Sequence, residues 1–279
     1  MVKTMELPQY ERDERIFLEE TATRFGFKDK YHFVFVQRFQ KRNDDLDQKE
    51  FAETFEKNLR EGCKDDVVTP HILRDKLKEI FPRLEKAGCP FNEVKKDKCD
   101  IAKVWLRETI YPQWHYWRQL KLKATQTDKM GPKLAPGIST LEMWESPSNY
   151  LQTVRLGSHI NFHLELETTG HLILLEKGTS GMLWCLCPSF FAPQSYLKPG
   201  KVVLPQENSR QKSFKVSGVP GKEEIVAIIA PTSPPFPWLP KPDQNPLQLQ
   251  EIHLQELLEY FEGSPESSIL YMDYALTSS

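Results

Sequence analysis

The residue types that could do chemistry in this chain are its cysteines, its histidines and one serine between glycines. Cys63, His71, Cys89 and Cys99 offer four donors of the kind that hold tetrahedral zinc. Their intervals of eight, eighteen and ten residues lack the close pairs of structural zinc sites, so three separate helix ends would have to converge. His159, His163, Glu165 and Glu167 alternate along a strand-like run, with His171 nearby, and could form an imidazole and carboxylate cluster. Period-2 histidines on a water-facing sheet surface are the plainer reading. Cys185 and Cys187 flank Leu186 and are expected to share one strand face, projecting in parallel, a poor geometry for a bridge; packing as small hydrophobes explains them. Ser180 in Gly178-Thr-Ser-Gly181 reads as a hairpin turn, not a nucleophile elbow. The chain has no G-x-x-x-x-G-K-[ST], G-x-G-x-x-G or H-E-x-x-H run. The sequence therefore predicts no catalytic residues, no metal and no cofactor.

A second set of residues suits binding. Trp105, Tyr111, Trp114, Tyr116 and Trp117 accompany Lys95, Lys96, Lys98, Lys103, Arg107, Arg118, Lys121 and Lys123. Rings beside cations stack on bases and pair with phosphates, and tryptophan also anchors protein interfaces. Trp105, Trp114, Trp117 and Arg118 are the candidate partner contacts, and Lys95, Lys96, Lys98, Lys103 and Arg107 the candidate nucleic-acid contacts. An equal alternative has the aromatics anchoring one domain against the other.

The elements carrying these residues change character near residue 125. Up to about 120 the pattern is helical. A first helix is expected between Pro8 and Phe25, ended by Gly26, and Asp29 is expected to cap a second element. The ambiguous YHFVFVQRF at 31–39 reads as helix beside its neighbours. A third helix runs from Asp47, as N-cap with Glu50 as capping-box partner, to Arg60. Thr69-Pro70 opens a fourth, with Leu73, Leu77, Ile80 and Leu84 on one stripe, a kink at Pro82 and a stop at Gly88. A fifth starts near Asp97 and is interrupted by Pro112.

The stretch TQTDKMGPKLAPG loses apolar periodicity and reads as an interdomain connection. Beyond it STLEMWES and SHINFHLELETT alternate, with Ile160, Phe162, Leu164 and Leu166 on one face. From Gly170 to Pro231 short apolar runs are bounded by Gly, Pro and Ser clusters, the pattern of strands and tight turns. The proline-rich PTSPPFPWLP is expected to wrap the surface, Leu254, Leu257, Leu258 and Phe261 to form a short helix, and SSILYMDYALTS to return as a last strand. The expected fold is α+β: a helical domain over 1–122, a linker over 123–137 and an antiparallel β-sandwich over 138–279.

Five stretches carry a resemblance: GHLILL from Gly170, GMLWCLCP from Gly181, LKPG from Leu197, Leu204-Pro205, and PGKEEIVAII from Pro220. In this order they resemble an uncharacterised β-sandwich domain of unknown function, found C-terminal to bacterial caspase-like proteases, kinases and other signalling modules. The whole chain resembles a cyanobacterial type with a helical N-terminal region and this sandwich. The resemblance implies a fold and a context, not an activity.

Composition bounds the rest. At 279 residues and 39% hydrophobic content, two modest domains with their own cores fit. Five cysteines without a signal-peptide pattern, and no run approaching a membrane span, lead to the expectation of a cytoplasmic protein with reduced thiols and no membrane contact. Net charge is −2, with 26 Lys/Arg against 23 Asp/Glu up to residue 123 and 11 against 16 after it, too balanced to announce nucleic acid. No 20–50-residue repeat is visible. The expected function is a non-enzymatic adaptor or regulatory interaction protein, with a caspase-like protease or signalling protein as partner. Nucleic-acid binding through the helical domain is the alternative.

Overall fold

The structure, a computed structural model, describes residues 9–61, 69–91, 97–136 and 150–278. The chain is α+β and divides into two compact units, Met1–Trp114 and His115–Ser279.

Helices α1 (Tyr10–Arg24), α2 (Asp29–Phe39), α3 (Gln48–Thr54), α4 (Glu56–Arg60), α5 (Thr69–Lys86) and α6 (Lys98–Trp105) form the first unit. Each buries an apolar stripe in one core that includes Phe17, Phe35, Phe51, Leu73, Ile80 and Trp105. The expected capping box is present: the Asp47 Oδ1 accepts from the Glu50 amide at 2.8 Å and the Glu50 carboxylate accepts from the Asp47 amide at 2.9 Å. Two expectations are corrected here. The single helix expected from Asp47 to Arg60 is broken at Phe55, whose ψ of 22° leaves the helical well. Asp29 is the first residue of α2, at φ 47°, and Lys28 holds the cap position. The interruption expected at Pro112 falls just ahead of it, and the helical run continues beyond the proline. After α6 the backbone widens into a π turn over Leu106–Ile110 and resumes as α7 (Tyr111–Lys123), so Pro112 occupies a first turn, where a missing amide is tolerated.

The second unit holds β1 (Thr125–Gln126), β2 (Met130–Leu134), β3 (Thr153–Arg155), β4 (His159–Leu166), β5 (Gly170–Lys177), β6 (Leu183–Cys187), β7 (Tyr196–Leu197), β8 (Gly200–Leu204), β9 (Phe214–Lys215), β10 (Gly221–Ala230), β11 (Leu247–Gln248), helix α8 (Glu251–Glu262) and β12 (Ser268–Thr277). The large sheet has the order β1-β12-β10-β5-β6-β11, with β3 also on β12 and β7 also on β5. The small sheet is β2-β4-β8, with β9 on β4. Pairing is antiparallel except where β1 and β3 join β12.

The segment expected as a linker therefore supplies β1 and β2, one to each sheet. A strand of two to five residues is too short to show periodicity, and its Gly-Pro looks like a turn when read alone. The expected strand STLEMWES lies outside the described residues.

One core fills the space between the sheets, from Ile160, Phe162 and Leu164 of β4 to Leu172, Ile225 and Met272 of the large sheet. The opposite face of the large sheet, with Ile173, Leu175, Val226 and Ile228, packs under Leu254, Leu257 and Phe261 of α8 and under Trp117 and Leu120 of α7. Burial on both faces explains why β5 and β10 read as continuous apolar runs. At Gly170 the strands meet so closely that a Cβ would lie 2.7 Å from the Ile229 side chain. Phe236 and Trp238 of the proline-rich segment pack against the α8 side of the sheet, with the Trp238 Nε1 donating to Glu256 at 2.6 Å.

Candidate functional site

Apolar residues give way to charge at one end of the large sheet. On β5 the run LILL ends in Glu176 and Lys177, and on β10 the run IVAII begins after Glu223 and Glu224. Alternation sends these four side chains to two faces. Glu176 is registered with Ile225 and Glu223 with Tyr274, so Glu176, Glu223 and Tyr274 share the inner face. Lys177 is registered with Glu224 and Glu224 with Asp273, which share the outer face.

The outer group is a satisfied network. The Glu224 carboxylate accepts from Trp117 Nε1 at 2.9 Å and Tyr271 Oη at 3.0 Å, pairs with Lys177 Nζ at 3.2 Å, and accepts from Lys121. Burial alone would raise its pKa; Lys177, then Lys121 and Trp117, outweigh this and hold it at about 2. Glu224 thus remains an anion, held by Trp117, Lys121 and Lys177 and by the Tyr271 hydroxyl that it shares with Asp273.

The inner group opens on a cavity of about 660 Å³ between the sheets. Phe162, Trp184, Phe191 and Phe214 give it an aromatic wall, and the turns at 178–180 and 217–219 form its rim. Glu223 is buried, and its carboxylate accepts from Tyr274 Oη at 2.5 Å. Glu176 is half-buried and lines the cavity. Burial, reinforced by the Glu223 charge, pushes its carboxyl up to about 8. Burial also raises Glu223, with the Tyr274 hydrogen bond opposing. Among the described residues no hydrogen bond or ion pair reaches the Glu176 carboxylate. This arrangement can hold a ligand. No Ser, Cys or Thr of the cavity is hydrogen-bonded to a histidine, so it lacks the pairing that activates a nucleophile.

The residues singled out from the sequence lie elsewhere. Trp105, Trp114 and Trp117 are buried, the first two in the helical core and Trp117 in the sheet unit. Trp105 stacks on Phe25, and Trp114 Nε1 donates to Glu20 at 2.7 Å. Their faces serve packing and are not offered to a partner. Arg118 is half-buried and engaged. Arg107 makes a bidentate pair with Asp44 at 2.7 and 2.9 Å, and Lys103 is buried against the same carboxylate at 3.2 Å. Lys98 sits over the Phe91 ring. Lys95 and Lys96 lie outside the described residues, as does Cys63.

His159 Nδ1 meets Ser213 Oγ at 2.9 Å, His163 is kept below the usual imidazole range by burial and by Lys133 and Lys201, and His171 packs on Tyr196. Glu165 is exposed, and Glu167 pairs with Lys129. Among the described residues no group of three or more His, Cys, Asp or Glu could hold a metal ion. The expectation that Cys185 and Cys187 share a face is corrected. A bulge between Leu174 and Leu175 sets Cys187 opposite Leu174 and Cys185 opposite Leu175, sending Cys187 into the core between the sheets and Cys185 to the α8 side. Burial raises both thiols well above their ordinary range. Ser180 lies in the β5–β6 turn, closed by the Gly181 amide on the Gly178 carbonyl at 2.8 Å with Gly181 at φ 83°.

Sequence reasoning missed the cavity pair. The signal was an acidic residue at the end of each of two apolar runs, LILLEK and KEEIVAII, and it gains meaning only once the register is known.

Residues 153–233 match the family model of a domain of unknown function (DUF4384), less than a third of the chain. That stretch holds Glu176, Glu223, Glu224 and the aromatic wall, while Trp117, Lys121, Tyr271 and Tyr274 lie outside it. No curated protein matches the chain. Among solved structures, the Pseudomonas fluorescens alkylpurine DNA glycosylase AlkC bound to DNA containing an abasic site analog is similar at 12% identity over 78% of this chain. The chain covers 62% of that protein's length, and the TM-score of 0.15 carries no argument about fold or function.

Proposed function

We propose that the protein is a non-enzymatic adaptor or regulatory interaction protein of the cytoplasm, whose sheet unit seats its ligand in the cavity between the sheets. The supporting observation is the cavity itself: about 660 Å³ with an aromatic wall and two acidic side chains. The resemblance to sandwich domains accompanying bacterial caspase-like proteases directs the search for a partner to such signalling proteins.

The nucleic-acid alternative draws little from the described cations. Lys103 and Arg107 are committed to Asp44, and Lys121 to Glu224. A basic surface needs charges free to displace counterions from phosphates.

The test is affinity capture of the tagged protein from its host, with nuclease treatment of half the sample, beside a variant whose cavity is plugged by Ser217→Trp at the exposed rim. A nuclease-resistant protein enriched by the wild type and lost by the variant is the expected result. Equal enrichment by both, or enrichment that vanishes with nuclease, overturns the reading.

A further inference from the structure

We propose that the cavity between the sheets recognises an organic cation, an ammonium or guanidinium on an apolar stem, with its head between Glu176 and Glu223 and its stem along the aromatic wall. The inference rests on the cavity being the ligand site and names the chemistry it selects.

Two carboxylates enter the cavity from adjacent strands. Glu176 is registered with Ile225, and Glu223 lies two residues before Ile225 on the same face, so the glutamates are diagonal neighbours. Such diagonal pairs stand about 7–8 Å apart across a sheet, within reach of one another's long side chains. A head group with several N–H donors can bridge them, whereas among the described residues the Tyr274 hydroxyl alone donates to the pair, and to Glu223.

The wall adds a second selection. Phe162, Trp184, Phe191 and Phe214 line the same space, and aromatic rings attract cations at their faces, most strongly where water is excluded. Val219 on the rim is exposed and extends the apolar lining outward. An anion entering here would be opposed by whichever member of the acidic pair is ionised. A neutral ligand would offer no charge to stabilise the ionised form of Glu176.

The remaining ionisable groups near the pair are few. Tyr274 stays protonated, held up by burial and then by Glu223 and Glu176. Lys215 lines the cavity from β9 and is exposed at its solvent end. Lys177 and Glu224 belong to the opposite face of the sheet. Glu176, at about 8, is mostly protonated in the empty cavity at neutral pH. Entry of a cation stabilises its ionised form, so Glu176 passes its proton to the solvent and binding tightens as pH rises.

The experiment is calorimetric titration of the full-length protein with n-hexylammonium, n-hexanol and hexanoate, in two buffers of different ionisation heat. Saturable binding of hexylammonium is expected, with release of a proton and with affinity rising at least about tenfold from about pH 6.5 to about pH 8.5. Glu176→Gln should weaken binding by about tenfold or more and remove the proton release, while circular dichroism shows the fold retained. Binding of hexanol or hexanoate as tight as that of hexylammonium, no binding of hexylammonium, or indifference to Glu176→Gln overturns the proposal.

A lysine-containing pentapeptide forms a second arm. Binding as tight as hexylammonium identifies a protein side chain as the source of the cation, and binding of the free amine alone identifies a small molecule. If hexylammonium fails while partner capture still depends on Ser217→Trp, the cation assignment falls and the binding-site reading stands.

Discussion

Glu223 and Glu224 are neighbours in the chain with opposite electrostatic fates, because a strand turns successive side chains to opposite faces. Glu224 meets four donors and stays ionised down to about 2, below the ordinary 4.5. Its contribution to stability is complete above about pH 4.5 and disappears as pH falls towards 2. Glu224→Gln should therefore flatten the acid limb of a stability–pH profile measured by urea unfolding. It should also cost on the order of 3 kcal/mol at neutral pH, since Lys121 and Lys177 lose their counter-charge. Glu176 behaves in the reverse sense. Its folded value of about 8 lies above 4.5, so between these limits the folded state keeps a proton that the unfolded chain gives up. That contribution is full below about pH 4.5 and is lost as pH rises through 8; Glu223, also raised, acts in the same direction. Glu176→Gln should lose less melting temperature than the wild type between about pH 5 and about pH 8.5, the decline that remains being that of Glu223. Equal declines in both proteins would remove Glu176 as the cause.

At the scale of elements, β12 organises the sheet unit. It pairs along its length with β10 and receives β1 and β3 as parallel neighbours. Strand β2 is paired with β4 over five registered residues from Met130 to Leu134. Trypsin should consequently cut after the exposed Arg210 or Lys212 before it cuts after Lys133, as followed by mass spectrometry of early fragments. First cleavage after Lys133 would show that β2 is not held in the sheet. The bulge in β5–β6 is the other decisive local feature: one register shift separates two cysteines that a regular strand would place together.

For the whole molecule, the division between Trp114 and His115 falls inside α7, earlier than the change of composition near 125. Trp117 and Leu120 belong to the core of the sheet unit, and Trp117 donates to Glu224. A fragment spanning 115–279 should fold with a β-type circular dichroism spectrum. A fragment spanning 124–279 should be destabilised by roughly 3–5 kcal/mol or fail to fold, because it loses a fully buried tryptophan. Equal melting temperatures for the two would place the boundary after α7 instead. Among the described residues no helix is long and apolar enough to cross a membrane.

Much of this architecture was legible in the residues. The capping box at Asp47, the stripe from Leu73 to Leu84, the alternation of Ile160 to Leu166 and the short apolar runs after Gly170 all describe local periodicities. Packing then follows them, because each face has one place to go. The cavity, the ionisation of its glutamates and the fate of the tryptophans were not legible. Glu176 and Glu223 are 47 positions apart, and what brings them to one face is the pairing of β5 with β10. Trp117 reads from the sequence as a partner contact or a domain anchor, and its burial depends on a sheet whose strands follow it in the chain. Local sequence determines which residues prefer helix, strand or turn. Register and burial arise from contacts between distant segments, and they alone decide which charges are neutralised, which are stranded and where a ligand can enter.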